Sequence, residues 1–275
     1  MNKYSLIAGC LLLACCNQNN NSKETLKSFS ALGSNPHFAH AHQSPDHFVY
    51  HGKGNMISFP TSDGLTAGAF EIKAEKSTKN WLFVFHEWWG LNDHIREESE
   101  KYFENLEKVN VLALDLYDGK VATNPDSAAT FMQAASEDRI RKIIQGAISY
   151  VGNKAEIGTI GWCFGGGWSM QASIMIEKLG IGCVVYYGMP ESDPMKLAKL
   201  ANDVLFIWPE QDEWITKEKV DAFTEGMTGA NNFFILKTYA ADHAFANPSN
   251  PRYNKVMADD AFATSIEYLQ HRFDF

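Results

Sequence analysis

The fold of this chain is decided by the stretch Ile157-Gly158-Thr159-Ile160-Gly161-Trp162-Cys163-Phe164-Gly165-Gly166-Gly167. Its first five residues are typical of a buried strand, and a helical pattern begins at Gly165. Gly161 and Gly165 flank Cys163 in the pattern G-x-C-x-G, which between a strand and a helix is typical of a nucleophile elbow. The sharp turn brings backbone segments together and leaves no room for a Cβ at the two glycines. We therefore predict that Cys163 is strained at the top of a sheet, with its sulfur exposed beside a helix N-terminus that favours a thiolate.

The sequence on either side of this stretch is typical of an α/β domain. Runs rich in Val, Ile, Phe and Trp alternate with longer helical segments from about residue 52 onward. Such alternation predicts a mostly parallel sheet with helices on both faces and with ligands at the carboxyl ends of its strands. No internal repeat is present, so we predict a single domain over residues 52–275. The predicted strands are 81–86, 109–114, 157–162, 183–187, 204–208 and 233–237, and the predicted helices are 94–108, 126–136, 138–152, 165–179, 216–228 and 251–271.

The composition excludes several classes of protein. Of the 275 residues, 45% are hydrophobic and 21% are charged, and the formal net charge is −9. That hydrophobic fraction is enough for a sizeable core, which excludes wholesale disorder. The acidic balance lacks the basic footprint of a nucleic-acid-binding protein, so no nucleic-acid partner is expected. Five cysteines are too few for a disulfide scaffold of this size.

The first 14 residues are predicted to be a lipoprotein signal peptide. Lys3 supplies a short positive region, and the apolar run 6–14 is too short to span a bilayer but suits a signal sequence. Leu12-Leu13-Ala14-Cys15 resembles the bacterial lipobox, so Cys15 is the predicted lipid acceptor. The same pattern at Cys10 and an ordinary cleaved signal peptide remain alternatives. We expect an exported protein anchored in the cell envelope, on the periplasmic side of the outer membrane in a diderm bacterium.

Residues 15–51 are predicted to be a polar tether between the lipid and the domain. The segment begins with Asn, Gln, Ser and Lys and continues into a histidine-rich run. Histidine-rich tracts can bind metal, but these spacings match no fixed geometry. A solvated spacer without a metal site is therefore expected. The five histidines of the run are His37, His40, His42, His47 and His51.

An acid and a histidine follow the elbow in the order that elbow hydrolases use. In those enzymes each of the two residues comes at the end of a later strand. Asp212 lies in the loop after one predicted strand, and His243 lies after the next. Glu210, Glu213 and Asp242 compete with Asp212 for the role of the acid. Asp212 ranks first, because Asp242 adjoins the histidine and could not easily orient its ring.

The loop after the first predicted strand supplies further groups. It reads His86-Glu87-Trp88-Trp89-Gly90. In elbow hydrolases this loop gives one N–H of the oxyanion hole, and the residue after the nucleophile gives the other. The backbone N–H groups of Trp88 and Phe164 are therefore the predicted oxyanion donors. Glu87 places a carboxylate beside the nucleophile.

Together these motifs resemble the dienelactone hydrolase family of α/β-hydrolases. The resemblance rests on HEWWGLNDHIR at 86–96, DLYDGKVATNP at 115–125, GWCFGGGWS at 161–169, Asp212, and DHAFANP at 242–248. It implies the α/β-hydrolase fold and a Cys163–Asp212–His243 triad assisted by Glu87. It also implies attack of a thiolate on an ester or lactone carbonyl, a thioester acyl-enzyme, and hydrolysis with His243 as base, without a cofactor.

The sequence departs from this family at two positions. Members that act on dienelactone hold its carboxylate with two arginines, whereas this chain has Asp118-Gly119 at one position and Asn247 at the other. Asp118 would repel an anion, so the resemblance points to a neutral, apolar ester or lactone rather than to dienelactone. Six of the seven tryptophans lie within five residues of Glu87, Cys163 or Asp212. We expect pocket exposure for Trp88 and Trp168, and the predicted substrate-binding residues are Trp88, Tyr117, Trp168 and Asn247.

Two other functions remain open from the sequence. One is a non-catalytic binding module on a hydrolase fold. The other is a redox role for Cys163 and Cys183, although Cys183 lies in a predicted buried strand and the spacing is not that of a redox C-x-x-C motif. The sequence makes no prediction of the oligomeric state.

Overall fold

A computed structural model describes residues 32–274, whose centre is an eight-stranded sheet. The predicted signal peptide (residues 1–14) and Cys15 lie outside the described residues. The strands are Asn55–Pro60 (β1), Thr66–Ile72 (β2), Asn80–Phe85 (β3), Asn110–Leu114 (β4), Glu156–Trp162 (β5), Gly180–Tyr186 (β6), Val204–Pro209 (β7) and Phe234–Tyr239 (β8). Their order is β1-β2-β4-β3-β5-β6-β7-β8, in which β2 pairs antiparallel with β1 and β4 and all other neighbours are parallel. The predicted α/β class with a mostly parallel sheet is confirmed.

Helices cover both faces of this sheet. Successive side chains on a strand point to opposite faces. On β5, Gly158 faces Leu269, while the Thr159 hydroxyl donates to the Ser169 carbonyl at 3.1 Å from the other face. No helix among residues 32–274 is both long and apolar enough to cross a membrane. The described helices are Pro36–His40 (α1), Asp93–Asn105 (α2), Pro125–Ala134 (α3), Glu137–Val151 (α4), Phe164–Ile176 (α5), Pro194–Leu197 (α6), Lys217–Gly229 (α7) and Lys255–Arg272 (α8), with a 3₁₀ turn at Glu177–Leu179.

The apolar runs of the sequence do not predict β1 and β2. The side chains of β3 are all buried, whereas most of those of β1 are exposed. β1 lies at the edge of the sheet and includes Asn55, Ser58 and Pro60, so it forms no apolar run. In β2 the half-buried Gly68 and Glu71 interrupt the buried positions, so a search for continuous apolar segments passes over both strands.

Most long helices begin at a side-chain cap, but the helix after the elbow does not. The side chains of Asn92, Asn124 and Ser136 accept hydrogen bonds from the backbone at the starts of α2, α3 and α4. At α5 the cap position is occupied by Cys163, whose side chain makes no capping hydrogen bond. The positive end of the α5 dipole therefore lies at the elbow, which suits this end of the helix to an anion.

The predicted solvated tether is wrong for residues 36–42. Within this stretch Phe38 is fully buried and His42 is 5% exposed, because both rings pack on aromatic side chains of the domain. Burying such a ring contributes about 1.5–3 kcal/mol, enough to hold a short polar segment on the surface. Residues 43–51 are mostly exposed, as expected of a spacer. We call residues 35–48 the N-terminal strap.

Candidate active site

Cys163 lies at the turn between β5 and α5. Its φ of 54° and ψ of −118° are a strained combination for a residue with a side chain. A Cβ at Gly161 would overlap the Gly165 carbonyl, and one at Gly165 would overlap the carbonyl of Phe85 on β3. The Cys163 N–H donates to the Tyr186 carbonyl at 3.0 Å, which fixes the turn to the neighbouring strand β6. The structure thus contains the elbow that the glycine spacing predicts.

The prediction that the Cys163 sulfur is exposed is wrong. The residue is 1% exposed. Burial raises the pKa of its thiol, and the charge of Glu87 acts in the same direction, while the neighbouring His243 lowers it. The elbow therefore presents a thiol inside a covered site, and formation of a thiolate depends on the charges of these two neighbours.

Asp212 and His243 form a buried pair beside this thiol. His243 Nδ1 lies 2.7 Å from Asp212 Oδ2, and the other carboxylate oxygen accepts the backbone N–H groups of Trp214 and Ile215 at 2.8 and 2.9 Å. Burial lowers the pKa of His243, but the charges of Asp212 and Cys163 outweigh it and raise that pKa to about 10. With Nδ1 engaged by Asp212, the ring is left to interact with the Cys163 thiol through its buried Nε2. The structure brings together the three predicted triad residues.

The competitors of Asp212 do not reach the histidine. Glu210 and Glu213 are exposed, and the Asp242 carboxylate lies 3.7 Å from Arg252. Asp212 alone among these acids is buried against the ring. Its loop position decides this, since the carboxylate is held by backbone N–H groups just beyond the end of β7.

Glu87 lies on the other side of the site, held by two neutral donors. Asn247 Nδ2 donates to one carboxylate oxygen and the Tyr187 hydroxyl donates to the other at 3.5 Å. Burial raises the pKa of Glu87 to about 7, although His243 and the two donors act against it. Asn247, which occupies the position of a family arginine, therefore contacts the glutamate. An uncharged amide there leaves the pKa of Glu87 close to neutrality.

His86 holds the loop after β3 in place. The sequence motifs do not predict this residue as part of the site. Its Nδ1–H donates to the Glu87 carbonyl at 2.6 Å, and its Nε2 accepts the Leu116 N–H at 3.1 Å. Burial lowers its pKa, in keeping with a neutral ring that donates at one nitrogen and accepts at the other. His86 and Leu116 are 30 residues apart along the chain, so no local sequence pattern indicates that His86 holds the two loops together.

The two predicted oxyanion donors, Trp88 and Phe164, lie just after the carboxyl ends of adjacent strands. Phe164 is the first residue of α5, and its N–H lies at the positive end of that helix. Trp88 lies in the loop between β3 and α2, next to Glu87. β3 and β5 are adjacent parallel strands, with Phe85 paired to Gly161, so both loops leave the same edge of the sheet.

A cavity of about 250 Å³ adjoins Glu87. Asn247 lines it, as predicted for a substrate-binding residue. The expected pocket exposure of Trp88 and Trp168 is wrong, since both rings are buried and neither lines this cavity. Trp89 and Trp162 line it instead, together with Phe48, Tyr187, Glu97 and Glu98.

Tyr117 and Trp88 nevertheless present polar atoms within the covered site. The Tyr117 hydroxyl and Trp88 Nε1 are buried and, in the described part of the chain, have no hydrogen-bond partner. Burial and then the charge of Cys163 raise the pKa of Tyr117, which places its ring near the nucleophile. A buried polar group without a partner costs about 1–3 kcal/mol, so both atoms are candidates for contacts with a ligand.

The prediction that Asp118 repels anions needs correction. Its carboxylate accepts from Arg139 Nε at 3.0 Å and from Arg139 Nη2 at 2.7 Å, and Arg139 also contacts Asp63. An ion pair of this kind largely cancels the field of Asp118. The absence of an arginine at position 247 remains as the argument against an anionic substrate.

The second cysteine of the described chain belongs to the core. Cys183 is fully buried, lies 3.7 Å from the Ser169 hydroxyl, and has a pKa raised to about 11 by burial. Cys163 and Cys183 are both free thiols. Within residues 32–274, no group of three or more His, Cys, Asp or Glu side chains is arranged to hold a metal ion.

Comparison with known proteins places this geometry in a family. The model of the dienelactone hydrolase family matches residues 68–273. Protein usf of Aquifex pyrophilus is 25% identical over 234 residues, which cover 79% of this chain and 98% of that protein. An Aquifex aeolicus protein that carries the name carboxymethylenebutenolidase is 24% identical, with the same coverage of both chains.

Solved structures show the same fold. A dienelactone hydrolase-like promiscuous phosphotriesterase from metagenomic libraries superposes with a TM-score of 0.69 at 19% identity, covering 80% of this chain and 99% of that one. An esterase of Pyrococcus furiosus superposes with a TM-score of 0.59 at 12% identity, covering 84% and 98%. At these identities the likeness establishes the α/β-hydrolase fold.

Proposed function

Since the chain belongs to the dienelactone hydrolase family, whose members are carboxylic-ester and lactone hydrolases, we propose that it uses a Cys163–His243–Asp212 triad on a neutral, apolar ester or lactone. One observation carries this proposal. His243 is buried, bound to Asp212 at 2.7 Å, and interacts with the Cys163 thiol, whose pKa it lowers. This arrangement suits nucleophilic catalysis, in which a positioned histidine serves a nucleophile and is itself oriented by a carboxylate.

In the proposed first step, the Cys163 thiol gives its proton to the Glu87 carboxylate. Uptake of the proton removes the negative charge that raises the pKa of Cys163, so the thiolate forms beside protonated His243. A carboxyl group with a pKa of about 7 is well matched to this transfer at neutral pH.

The thiolate then attacks the carbonyl carbon of the substrate. A C–S bond forms, and the oxyanion accepts the backbone N–H groups of Phe164 and Trp88. When the C–O bond to the leaving group breaks, His243 gives its Nε2 proton to the departing alkoxide. An alcohol leaves and the acyl group remains on Cys163 as a thioester.

Water completes the reaction. It gives a proton to neutral His243 while its oxygen attacks the thioester carbonyl, and the C–S bond breaks to release the acid. The thiolate then recovers the proton held by Glu87. Asp212 keeps Nδ1 of His243 protonated throughout, so that Nε2 faces the reacting atoms.

A neutral, apolar substrate is supported by the surroundings of Glu87. Trp89, Trp162 and Tyr187 give the cavity aromatic walls, while the carboxylates of Glu97 and Glu98 are paired with Lys101 at 3.4 and 2.7 Å. Asn247 offers no positive charge to a substrate carboxylate. A charge-assisted hydrogen bond contributes about 1.5–3 kcal/mol, so its absence favours neutral acyl groups.

The nucleophile is tested by replacing each described cysteine in turn. Cys163→Ala should lower kcat on a small aryl ester by at least about 10³-fold, because no acyl-enzyme can form. Iodoacetamide should label Cys163 in the wild-type protein and abolish turnover. Cys183→Ala, which removes a core thiol, is the matched control and should retain turnover. A Cys163→Ala rate equal to that of the wild type would reject the triad mechanism.

The substrate class is tested with two aryl esters of similar length. We expect kcat/KM to be about tenfold or more higher for p-nitrophenyl butyrate than for mono-p-nitrophenyl succinate. The second ester differs by one carboxylate, so the ratio isolates its charge. A preference for the succinate would overturn the proposed neutral substrate.

We also propose that the enzyme is exported and anchored in the cell envelope by a lipid on Cys15, on the periplasmic side of the outer membrane. The short apolar run and the lipobox-like sequence before Cys15 support this. Radiolabelled palmitate should label the wild-type chain and not Cys15→Ala. Labelling retained in Cys15→Ala but lost in Cys10→Ala would move the anchor to Cys10.

A further inference from the structure

The N-terminal strap lies outside the region matched by the family, residues 68–273, yet it packs on the triad. The Phe38 ring is fully buried. Its centroid lies 5.0 Å from that of Trp88, 5.2 Å from that of Trp214 and 6.1 Å from that of His243. A residue from outside the family region therefore covers the catalytic histidine.

His42 covers the same histidine from one turn further along the strap. Its ring lies 4.8 Å from Trp88 and 5.8 Å from His243. Its Nδ1–H donates to the Phe38 carbonyl at 2.7 Å, which fixes the ring orientation. Burial and the charge of His243 lower the pKa of His42 to about 3, so the ring packs as a neutral group.

The strap continues to the cavity beside Glu87. Phe48 lines that cavity and stacks on His94 with ring centroids 5.2 Å apart. His94 Nε2 also hydrogen-bonds the Asp46 carbonyl at 3.1 Å. Thus the strap contacts the site at two places, over the histidine and at the cavity wall.

We propose that the N-terminal strap is a wall of the substrate site and that Phe38 and His42 are specificity-determining residues, which limit the size of the group that reaches Cys163. This inference rests on the proposed function of Cys163 as the nucleophile. Cys163 and His243 are 1% and 2% exposed, so a substrate must fit under the existing cover. Trp88 Nε1, which lacks a partner among the described residues, belongs to the ring that both strap residues contact.

The first test measures access to Cys163 without any enzymatic turnover. The full chain is treated with iodoacetamide or with the bulkier N-phenylmaleimide, and labelling of the Cys163 peptide is followed by mass spectrometry. Phe38→Ala and His42→Ala should raise the maleimide rate at least about fivefold more than the iodoacetamide rate. Phe59→Ala, which removes an equally buried ring stacked on Tyr150 at the far edge of the sheet, should leave the ratio of the two rates unchanged.

The second test compares p-nitrophenyl acetate with p-nitrophenyl octanoate. A pocket that gains the volume of a ring discriminates by about 10-fold or more between small and large groups. We expect kcat/KM for the octanoate, relative to the acetate, to rise by about that factor in Phe38→Ala and less in Phe38→Leu. The milder Phe38→Leu serves as the folded variant if Phe38→Ala does not fold, and it must then shift both ratios.

The outcomes separate this inference from the proposed function. Unchanged labelling and substrate ratios in folded Phe38 and His42 variants, with turnover still dependent on Cys163, would overturn the strap as a wall of the site and leave the triad standing. Turnover that survives in Cys163→Ala would overturn the triad, while a shifted labelling ratio would still support the strap as a cover over Cys163. A lower melting temperature with unchanged ratios would show a purely structural cover and would also overturn the inference.

Discussion

The loop after β8 and the N-terminal strap each place a buried histidine in the same site, and the two histidines behave oppositely. The rings of His243 and His42 lie 5.8 Å apart and both are almost fully buried. The pKa of His243 is raised to about 10, whereas that of His42 is lowered to about 3. Burial lowers the pKa of both. The difference arises because His243 has the Asp212 carboxylate at Nδ1 and His42 has a neutral carbonyl there.

This comparison shows that burial shifts each pKa toward the neutral form and that a charged partner reverses this shift at His243. Glu87 is the third case, because it is buried with two neutral donors and its pKa rises to about 7. Replacing one partner at a time should therefore move each group in a direction that can be stated beforehand.

Asp212→Asn should lower the pKa of His243, so that this ring is neutral like that of His42. Without the carboxylate, burial should bring the pKa of His243 below its usual value of 6.5, and the ring loses the group that keeps its Nδ1 protonated. Turnover of a small aryl ester should fall by about 10³–10⁴-fold. Steady-state kinetics and NMR titration of the ring check the two effects. Asp242→Asn, at the half-buried residue next to His243, is the control, and equal losses in both variants would contradict the assignment of Asp212.

Glu87→Gln should abolish the loss of folding stability that buried Glu87 causes in the wild type as the pH rises to about 7. Between pH 4.5 and about 7 the folded protein holds a proton on Glu87 that the unfolded chain has released, so stability falls as the pH rises through this window. The variant should be more stable than the wild type at pH 8, by up to about 3 kcal/mol, and similar to it at pH 5. Urea unfolding at the two pH values measures this. Exposed Glu210→Gln should show no such difference between pH 5 and pH 8.

His42→Gln should reduce the loss of stability in acid. Below pH 6.5 the unfolded chain protonates this histidine and the folded protein does not, so the wild type loses stability as the pH falls toward 3. From pH 6.5 to pH 5 this one group removes about 2 kcal/mol, which the variant should retain. Urea unfolding across this range is the measurement, with exposed His51→Gln as control. Equal losses in His42→Gln and the wild type would mean that His42 titrates normally.

Asn247→Leu should shift the pH dependence of turnover. Losing the amide donor raises the pKa of Glu87 further, because the donor stabilises the carboxylate. If ionised Glu87 takes the thiol proton, the rise of kcat/KM with pH, centred near 7 in the wild type, should move up by about one unit. Asn105→Leu, on the exposed surface, should leave the midpoint in place. An unmoved midpoint in Asn247→Leu would exclude Glu87 as the proton acceptor.

Much of the fold and part of the site follow from local sequence. Apolar runs predict six of the eight strands. Five of them, β3 to β7, are central and almost wholly buried, as is typical of parallel strands covered on both faces. The sixth, β8, is an edge strand that is apolar in sequence although most of its side chains are exposed or half-buried. The spacing of Gly161, Cys163 and Gly165 predicts the elbow, because the turn admits no Cβ at the two glycines. The order of Asp212 and His243 after later strands predicts that they meet, since the carboxyl ends of parallel strands share one edge of the sheet.

Only the tertiary structure determines which side chains bury the site residues and which neighbours shift their pKa values. The burial of Cys163, the placement of Phe38 and His42 over His243, and the pairing of Asp118 with Arg139 all join segments far apart along the chain. Local sequence sets backbone conformation and the period of apolar residues. The pKa values and the shape of the site depend on distances in space between such segments, and the packed sheet and its loops determine those distances.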